Sequence, residues 1–225
     1  MPRAPLRFRT VLFDLDGTLI DHLAAIHRSY CHTLPQLGYP APTRAQVRRA
    51  VGGGLERAML RFVTEAELPR ALAIFRSYWS RTMLDDAELM PGAGELLRAL
   101  HAAGCTLAVL TNKHGPSSRA VCQHLGIAPY LHGIFGAQDT PWLKPDPAFV
   151  SHVLTSLNAQ SATTCLVGDS PFDYEAGRQG GLACYLVATG THSAEELRAA
   201  GAGHIFPNLT ALARDVFGLD IPAAR

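Results

Sequence analysis

The chain has 225 residues, of which 48% are hydrophobic and 17% are charged, so a disordered protein is excluded and one large domain or a core with a modest insertion is predicted. The formal net charge is +1 at pH 7. A chain this close to neutral has no general field to attract a long polyanion, and nucleic acid is therefore not an expected partner.

Membrane proteins and secreted disulfide-rich proteins are also excluded by local sequence. The longest apolar stretch, residues 182–188, is far too short to cross a bilayer. The apolar run behind the basic start is interrupted by the acids at positions 14 and 16, so no signal peptide forms, and we expect the mature protein to begin near Met1. Five cysteines without a C-x-x-C pair predict neither a disulfide framework nor a zinc site, and they suit a cytoplasmic location.

Four β-prone runs are predicted to form strands, at residues 10–13, 106–110, 163–167 and 183–187. They are apolar without alternation, which is typical of parallel strands that are covered on both faces. Helical patterns at residues 95–103 and 117–125 lie between strands, and each is followed by a glycine that can take the left-handed conformation. This alternation predicts an α/β fold with a Rossmann-like, doubly wound parallel sheet.

Residues 19–87 do not follow this alternation of strands and helices, because no strand is apparent there and the segment carries only helical patterns. Leu72, Phe75, Trp79 and Met83 recur every three or four positions, and we interpret this stripe as the packed face of one helix. The sequence therefore predicts a helical domain at residues 19–87, inserted into an α/β core domain formed by residues 1–18 and 88–225. Its hinges are expected near residues 18–21 and 85–91.

Two pairs of acids follow predicted strands. Asp14 and Asp16 lie in D-L-D-G-T after the first strand, and residues two apart in an extended chain point the same way. Asp169 ends a later strand and Asp173 follows one helical turn on. In open α/β sheets ligands bind outside the carboxyl ends of the strands, where both pairs are expected to meet. Hard oxygen donors of this kind predict Mg²⁺.

A phosphate site is predicted beside these acids. Thr111 and Asn112 end the strand at residues 106–110, and they offer a hydroxyl and backbone amides to phosphoryl oxygens. The chain contains only two lysines, Lys113 and Lys144, against 18 arginines. Because arginine is the usual cation of this chain, we interpret Lys144 as a position that needs a compact ammonium group and not a guanidinium group.

Together these residues resemble the haloacid dehalogenase superfamily of phosphotransferases, whose four motifs match residues 14–18, 111–112, 144–145 and 168–173. The similarity covers nearly the whole chain, because the helical insertion is similar to the cap domain of the phosphoglycolate phosphatase-like subfamily. The resemblance implies a Mg²⁺-dependent phosphomonoester hydrolase that acts on a small phosphorylated metabolite, phosphoglycolate or a similar ester.

The resemblance also implies individual roles. Asp14 would attack phosphorus to form an aspartyl-phosphate, and Asp16 would first protonate the departing alkoxide and then deprotonate water. Two neighbouring carboxylates in unequal environments can keep one ionised and one protonated. Mg²⁺ would be held by the carboxylates of Asp14 and Asp169 and the backbone carbonyl of Asp16, with support from Thr18 and Asp173.

Binding of the substrate is implied to involve two further groups. Phosphate would be bound by Thr111, Asn112 and Lys144. The leaving group would be selected near the mouth of the site, and the candidates are His22, Gly54, Arg57 and Lys113. His22 stands where the subfamily commonly has a small serine, so the natural substrate need not be phosphoglycolate.

Three alternatives bear on this reading. A phosphosugar mutase of the β-phosphoglucomutase type shares the motifs, and its G-x-x-R element can be read at residues 54–57, although Thr18 favours a phosphatase. A noncatalytic phosphate-binding module is the second alternative. A dehalogenase is the third, and Asp16 counts against it because a departing halide needs no proton.

Overall fold

The computed structural model describes residues 6–222. Its strands are β1 Thr10–Phe13, β2 Ile20–Asp21, β3 Glu88–Leu89, β4 Thr106–His114, β5 Gly133–Ala137, β6 Thr164–Gly168, β7 Ala183–Val187 and β8 Ile205–Phe206. Six of them form one parallel sheet in the order β5-β4-β1-β6-β7-β8. The predicted parallel α/β architecture is confirmed.

Ten α-helices lie within the described residues. They are α1 Leu23–Thr33, α2 Arg44–Ala50, α3 Leu55–Met59, α4 Leu68–Thr82, α5 Ala93–Ala102, α6 Gly115–His124, α7 Pro147–Ser156, α8 Pro171–Gln179, α9 Ala194–Ala199 and α10 Leu209–Phe217. The predicted helices at residues 95–103 and 117–125 correspond to α5 and α6, each displaced by one or two positions.

Helices cover both faces of the large sheet, which explains why its strands are apolar without alternation. Val11 and Phe13 of β1 pack into one hydrophobic cluster together with residues of α5, α6 and α10. Leu12, which points the opposite way, packs into a second cluster together with residues of α7 and α8. Every residue of β1 is therefore buried, and the strand ends directly at the acid that follows it.

The predicted strands agree with the structure at residues 10–13 and 183–187, whereas β4 is longer than predicted and β6 is displaced by one residue. Two strands of the large sheet, β5 and β8, were not predicted. The sequence of β5, G-I-F-G-A, contains two glycines, which are unfavourable in strands, and β8 has only two residues.

The segment between β2 and β3 is helical, as predicted, and builds a hydrophobic cluster of its own from α1, α2, α3 and α4. Leu72, Phe75 and Trp79 of α4 are buried in this cluster, so the predicted packed stripe is confirmed for these residues. The expectation of no strand within residues 19–87 is wrong, because Ile20 and Asp21 pair antiparallel with β3. A two-residue strand leaves no pattern of alternation to detect in a sequence.

Two predicted exclusions can be compared with the structure. Among the residues it describes, no helix has both the length and the apolar character of a transmembrane span. The cysteines at positions 31, 105, 122, 165 and 184 are all free thiols, in agreement with the prediction that they form no disulfide framework.

Candidate active site

The carboxyl ends of three neighbouring strands form the floor of the candidate site. β1 lies between β4 and β6 and is parallel to both, so all three chains leave the sheet at the same edge. Asp14 follows β1, Asp169 follows β6, and Thr111 and Asn112 lie in the second half of β4. The expectation that the two acid pairs meet is confirmed for the carboxylates of Asp14, Asp169 and Asp173, but not for that of Asp16.

Asp14, Asp169 and Asp173 form a buried acid cluster. Each offers a carboxylate oxygen, and these oxygens lie within 4.8 Å of one another. Asp14 and Asp173 are more than 150 residues apart in the sequence. The order of the strands in the sheet, and not local sequence, therefore brings these side chains together. The carboxylate of Asp16 lies outside this cluster.

Hydrogen bonds from neighbouring residues orient the carboxylates of Asp173 and Asp169. One oxygen of Asp173, at the start of α8, accepts bonds from the backbone N–H groups of Asp169 and Ser170 (3.2 and 3.0 Å) and from the Ser170 hydroxyl (2.6 Å). Asp169 accepts bonds from the N–H and hydroxyl of Thr191 (2.8 and 3.1 Å) and from the hydroxyl of Thr18 (3.4 Å). Both carboxylates are therefore held in fixed orientations.

Lys144 lies within the cluster, and its ammonium group donates to Asp14 (2.7 Å) and to Asp173 (2.6 Å). One lysine thus faces three buried carboxylates. Burial raises the pKa of Asp14 to about 6, against the opposing charge of Lys144, and burial together with the neighbouring acids raises the pKa of Asp169 well above its usual range. The excess of negative charge and the set of hard oxygen donors fit a divalent cation such as Mg²⁺.

Asp16 has separate partners. The ammonium group of Lys113 donates to both of its carboxylate oxygens (3.0 and 2.9 Å), and Nδ1 of His22 lies 3.7 Å away. Burial alone would raise the pKa of Asp16, but Lys113 and His22 lower it overall to below its usual range. Asp14 and Asp16 have unequal environments, but the order is the reverse of the one that their implied roles require, because Asp14 is the more readily protonated of the two.

Asn112 connects two loops of the site. Its side-chain oxygen accepts from the backbone N–H of Lys144 (2.7 Å), and its amide nitrogen donates to the carbonyl oxygens of Lys144 (2.9 Å) and Gly52 (3.0 Å). The side chain of Asn112 is therefore engaged within the protein. Thr111 also accepts a bond locally, from the N–H of Lys113 (3.2 Å), and it lines the same cavity as Asp14.

This cavity lies between the sheet edge and the helical segment and has a volume of about 120 Å³. Of the four candidate selectivity residues, Gly54 and Lys113 line it. Arg57 lines a different groove, with its guanidinium 5.1 Å from the centre of the Phe172 ring. His22 lies beside Asp16 and packs against Trp79, with ring centres 4.9 Å apart, and it does not line the cavity at Asp14.

Several residues of the site were missed by sequence reasoning. Thr191 lies four residues after the predicted strand at 183–187, and strand ends are where ligands bind, so its position was a usable signal. Ser170 directly follows Asp169, so its position near the end of a predicted strand was also a usable signal. Tyr30 lines the cavity from α1, and nothing in the sequence indicates this.

Comparisons with known proteins identify the family of this chain. The family model of the haloacid dehalogenase-like hydrolases matches residues 11–187. A phosphoglycolate phosphatase from Rhodospirillum rubrum is 32% identical over 215 residues, which cover 91% of this chain and 89% of the relative. A 5'-nucleotidase from Pseudomonas aeruginosa is 31% identical over 214 residues, which cover 94% of this chain and 97% of the relative.

A solved structure is similar over almost the same length. A haloacid dehalogenase-like family hydrolase from Streptococcus pneumoniae superposes with a TM-score of 0.84 at 25% sequence identity, covering 92% of this chain and 98% of that one. Sequence and fold therefore agree over nearly the whole length. The chain belongs to the haloacid dehalogenase-like hydrolase family, and it is a phosphatase.

Proposed function

We propose that this phosphatase hydrolyses small phosphate monoesters with the help of Mg²⁺, through an aspartyl-phosphate on Asp14. The observation that carries this proposal is the buried cluster of Asp14, Asp169 and Asp173 around Lys144, at the floor of a cavity. Phosphoglycolate is the first substrate to test, because relatives that are about 30% identical carry its name.

The carboxylates of Asp14 and Asp169 and the backbone carbonyl of Asp16 would hold Mg²⁺, as the family resemblance implies. Bound there, the ion supplies positive charge that keeps Asp14 ionised and reduces its repulsion from the phosphate. The pKa of Asp14, which burial raises to about 6, supports a need for that charge. Thr18, which donates to Asp169, and Asp173, which accepts from Lys144, would keep this donor set in place.

Asp14 and Asp16 would perform the two chemical steps. An Asp14 oxygen bonds to phosphorus while the bond from phosphorus to the leaving oxygen breaks, and that oxygen takes a proton from Asp16. Lys113 and His22 hold the pKa of Asp16 below its usual range, so Asp16 can carry this proton only once the negative charge of a bound phosphate ester raises its pKa again. Water then attacks the aspartyl-phosphate and gives its proton to Asp16, and inorganic phosphate leaves as the Asp14 carboxylate is regenerated. Lys113 and His22 would fix the position of the Asp16 carboxylate during both steps.

The phosphoryl oxygens would be bound by Lys144, by the hydroxyl of Thr111 and by backbone amides around Asn112. The contacts of the Asn112 side chain support an additional role for this residue, because it joins the Lys144 loop to Gly52 of the helical segment. The segment 19–87 would act as a cap over the cavity, excluding water and contacting the leaving group.

The phosphosugar mutase alternative depends on Arg57, since a transferred phosphosugar needs a cation in the cap. Arg57 lies over Phe172 and outside the cavity at Asp14, which disfavours that alternative. The noncatalytic module is disfavoured as well, because the acids and Lys144 are in contact and buried together.

The proposal is tested by phosphate release with Mg²⁺ from phosphoglycolate and p-nitrophenyl phosphate. Asp14→Asn removes the nucleophile, and we expect turnover to fall by more than about 10³-fold on both esters. The matched control is Asp220→Asn, which makes the same change at an exposed position and should keep the parent rate. Parent-level turnover by Asp14→Asn would contradict the proposed mechanism.

A further inference from the structure

The helical part of the cavity wall is largely apolar. Side chains of α1, α3 and α4 contribute most of it, namely Ile26, Tyr30, Leu55, Ala58, Phe75 and Trp79. The cavity volume of about 120 Å³ is similar to that of an engineered cavity of about 150 Å³ that binds benzene. A leaving group that entered this space would bury its surface mainly against hydrocarbon and aromatic rings.

The cationic side chains that line the cavity already have partners. Lys113 donates to Asp16 and lies 4.7 Å from the centre of the Trp79 ring. Arg76 forms an ion pair with Glu56 at the cavity rim. An anionic leaving group would therefore have to compete with Asp16 and Glu56 for these two cations.

His114 is the remaining basic group in the cavity wall. Its Nδ1 lies 2.9 Å from the hydroxyl oxygen of Ser117, which is also bonded to Trp79. Burial, together with the charge of Arg76, lowers the pKa of His114, so the imidazole is neutral at pH 7. His114 therefore adds no positive charge to the cavity.

A carboxylate on the leaving group would meet acidic neighbours in this space. Asp14, Asp16 and Glu56 line the cavity, and the partners of Asp16 and Glu56 are Lys113 and Arg76. Such a carboxylate would lose water and gain only a cation that already has an acidic partner, which is unfavourable. An uncharged leaving group avoids this loss of solvation.

Tyr30 adds an aromatic ring to the apolar wall. It is 1% exposed, and its ring packs against Phe62 and Phe75, with ring centres 5.0 and 5.2 Å away. Its hydroxyl is buried, so Tyr30 offers no accessible polar group to the cavity.

We propose that the natural leaving group of this phosphatase is an uncharged, mainly hydrocarbon alcohol, aromatic or branched. The inference rests on the proposed function, because it assigns the substrate class of the same site. It separates this chain from a phosphoglycolate phosphatase, whose leaving group carries a carboxylate.

Two esters that differ in charge test the inference. Benzyl phosphate and 4-carboxybenzyl phosphate release alcohols of similar acidity, so a difference in kcat/KM reports on binding of the ring and its charge. We expect kcat/KM to be at least about tenfold higher for benzyl phosphate. Equal values, or a preference for the carboxylated ester, would overturn the inference alone. Failure to release phosphate from any ester, p-nitrophenyl phosphate included, would overturn the proposed function as well.

Glu56→Gln gives a second test, because it leaves Arg76 as an unpaired cation at the rim. We expect the ratio of kcat/KM for 4-carboxybenzyl phosphate over benzyl phosphate to rise at least about fivefold. The double variant Glu56→Gln/Arg76→Gln should return the ratio to that of the parent. An unchanged ratio in Glu56→Gln would contradict the argument from paired charges.

Discussion

The charge balance of the acid cluster depends on the side chain of Lys144. Its ammonium group lies 2.7 Å from Asp14 and 2.6 Å from Asp173, and all three groups are buried. Burial alone would lower the pKa of Lys144, but the two carboxylates raise it overall, so the lysine stays charged. Removal of one member of such a buried set leaves uncompensated charge behind.

We therefore expect Lys144→Met to reduce the free energy of unfolding by about 3–5 kcal/mol in EDTA. Addition of Mg²⁺ should stabilise this variant more than the parent, because the cation would replace the missing positive charge. Urea unfolding with and without Mg²⁺ measures both effects. Arg178→Met is the control, since its ion pair with Glu175 is exposed and contributes little. A loss no larger than that of the control would contradict the role of Lys144.

The sequence predicts the residues of the acid cluster well and those of the cavity wall poorly. Asp14 and Asp169 could be predicted because each directly follows a buried strand, and strand ends meet at one edge. The position of Tyr30 in the cavity depends on how α1 packs against α4, which no local pattern encodes. The stripe that contains Phe75 and Trp79 was interpreted as packing, whereas both residues are buried in the cluster and also line the cavity.

The loop that follows β7 contains Gly190, which lies against the carboxylate of Asp169 at the end of β6. A Cβ atom added to Gly190 would overlap the carboxylate of Asp169, and one added to Gly17 would lie 2.8 Å from the same carboxylate. The backbone of both loops thus touches Asp169 directly. Gly17 also has a φ of +87°, which favours glycine.

Gly190→Ala should push Asp169 away from Asp14 while leaving the fold intact. Because misplacement of a catalytic group by about 1 Å can cost 10²-fold, we expect kcat/KM to fall by about ten- to a hundredfold and the Mg²⁺ requirement to rise. Phosphate release over a Mg²⁺ titration measures both. Gly203→Ala is the matched control, since its Cβ would meet open space and should change neither quantity. The result that would contradict this account is parent-like Mg²⁺ dependence in Gly190→Ala.

Prediction of whole elements depended on their length and composition. The strands at residues 10–13 and 183–187 are mainly apolar and free of glycine, and their limits were predicted correctly. The strand β2 has two residues, and it is formed by its pairing with β3, which lies about 70 positions along the chain. Pairing over such a distance is a tertiary interaction and cannot be found from local propensity.

At the scale of the whole molecule, the helical segment and the sheet have separate hydrophobic clusters joined by polar contacts. The indole N–H of Trp79 donates to the hydroxyl of Ser117 (3.1 Å), and the Asn112 amide donates to Gly52 (3.0 Å). Arg48 donates to the carbonyl oxygen of Gly190 (3.0 Å). Because α1 to α4 have a hydrophobic cluster of their own, they can move as a unit relative to the sheet, whereas Leu19 and Ile20 belong to the cluster of the sheet.

Trp79 provides a direct measure of such a separation. The chain has two tryptophans, so Trp142→Phe leaves Trp79 as the only indole, and in this structure Trp79 is 8% exposed. We expect acrylamide to quench Trp79 when the segment opens in solution. Beryllofluoride with Mg²⁺ mimics the aspartyl-phosphate and should favour the closed form. It should therefore reduce the quenching constant of Trp79 at least about twofold. Trp79→Phe reports on Trp142, which packs beside His152 of α7 in the sheet region and should change less. Equal quenching of Trp79 with and without the mimic would mean that the segment does not close over the site as a cap.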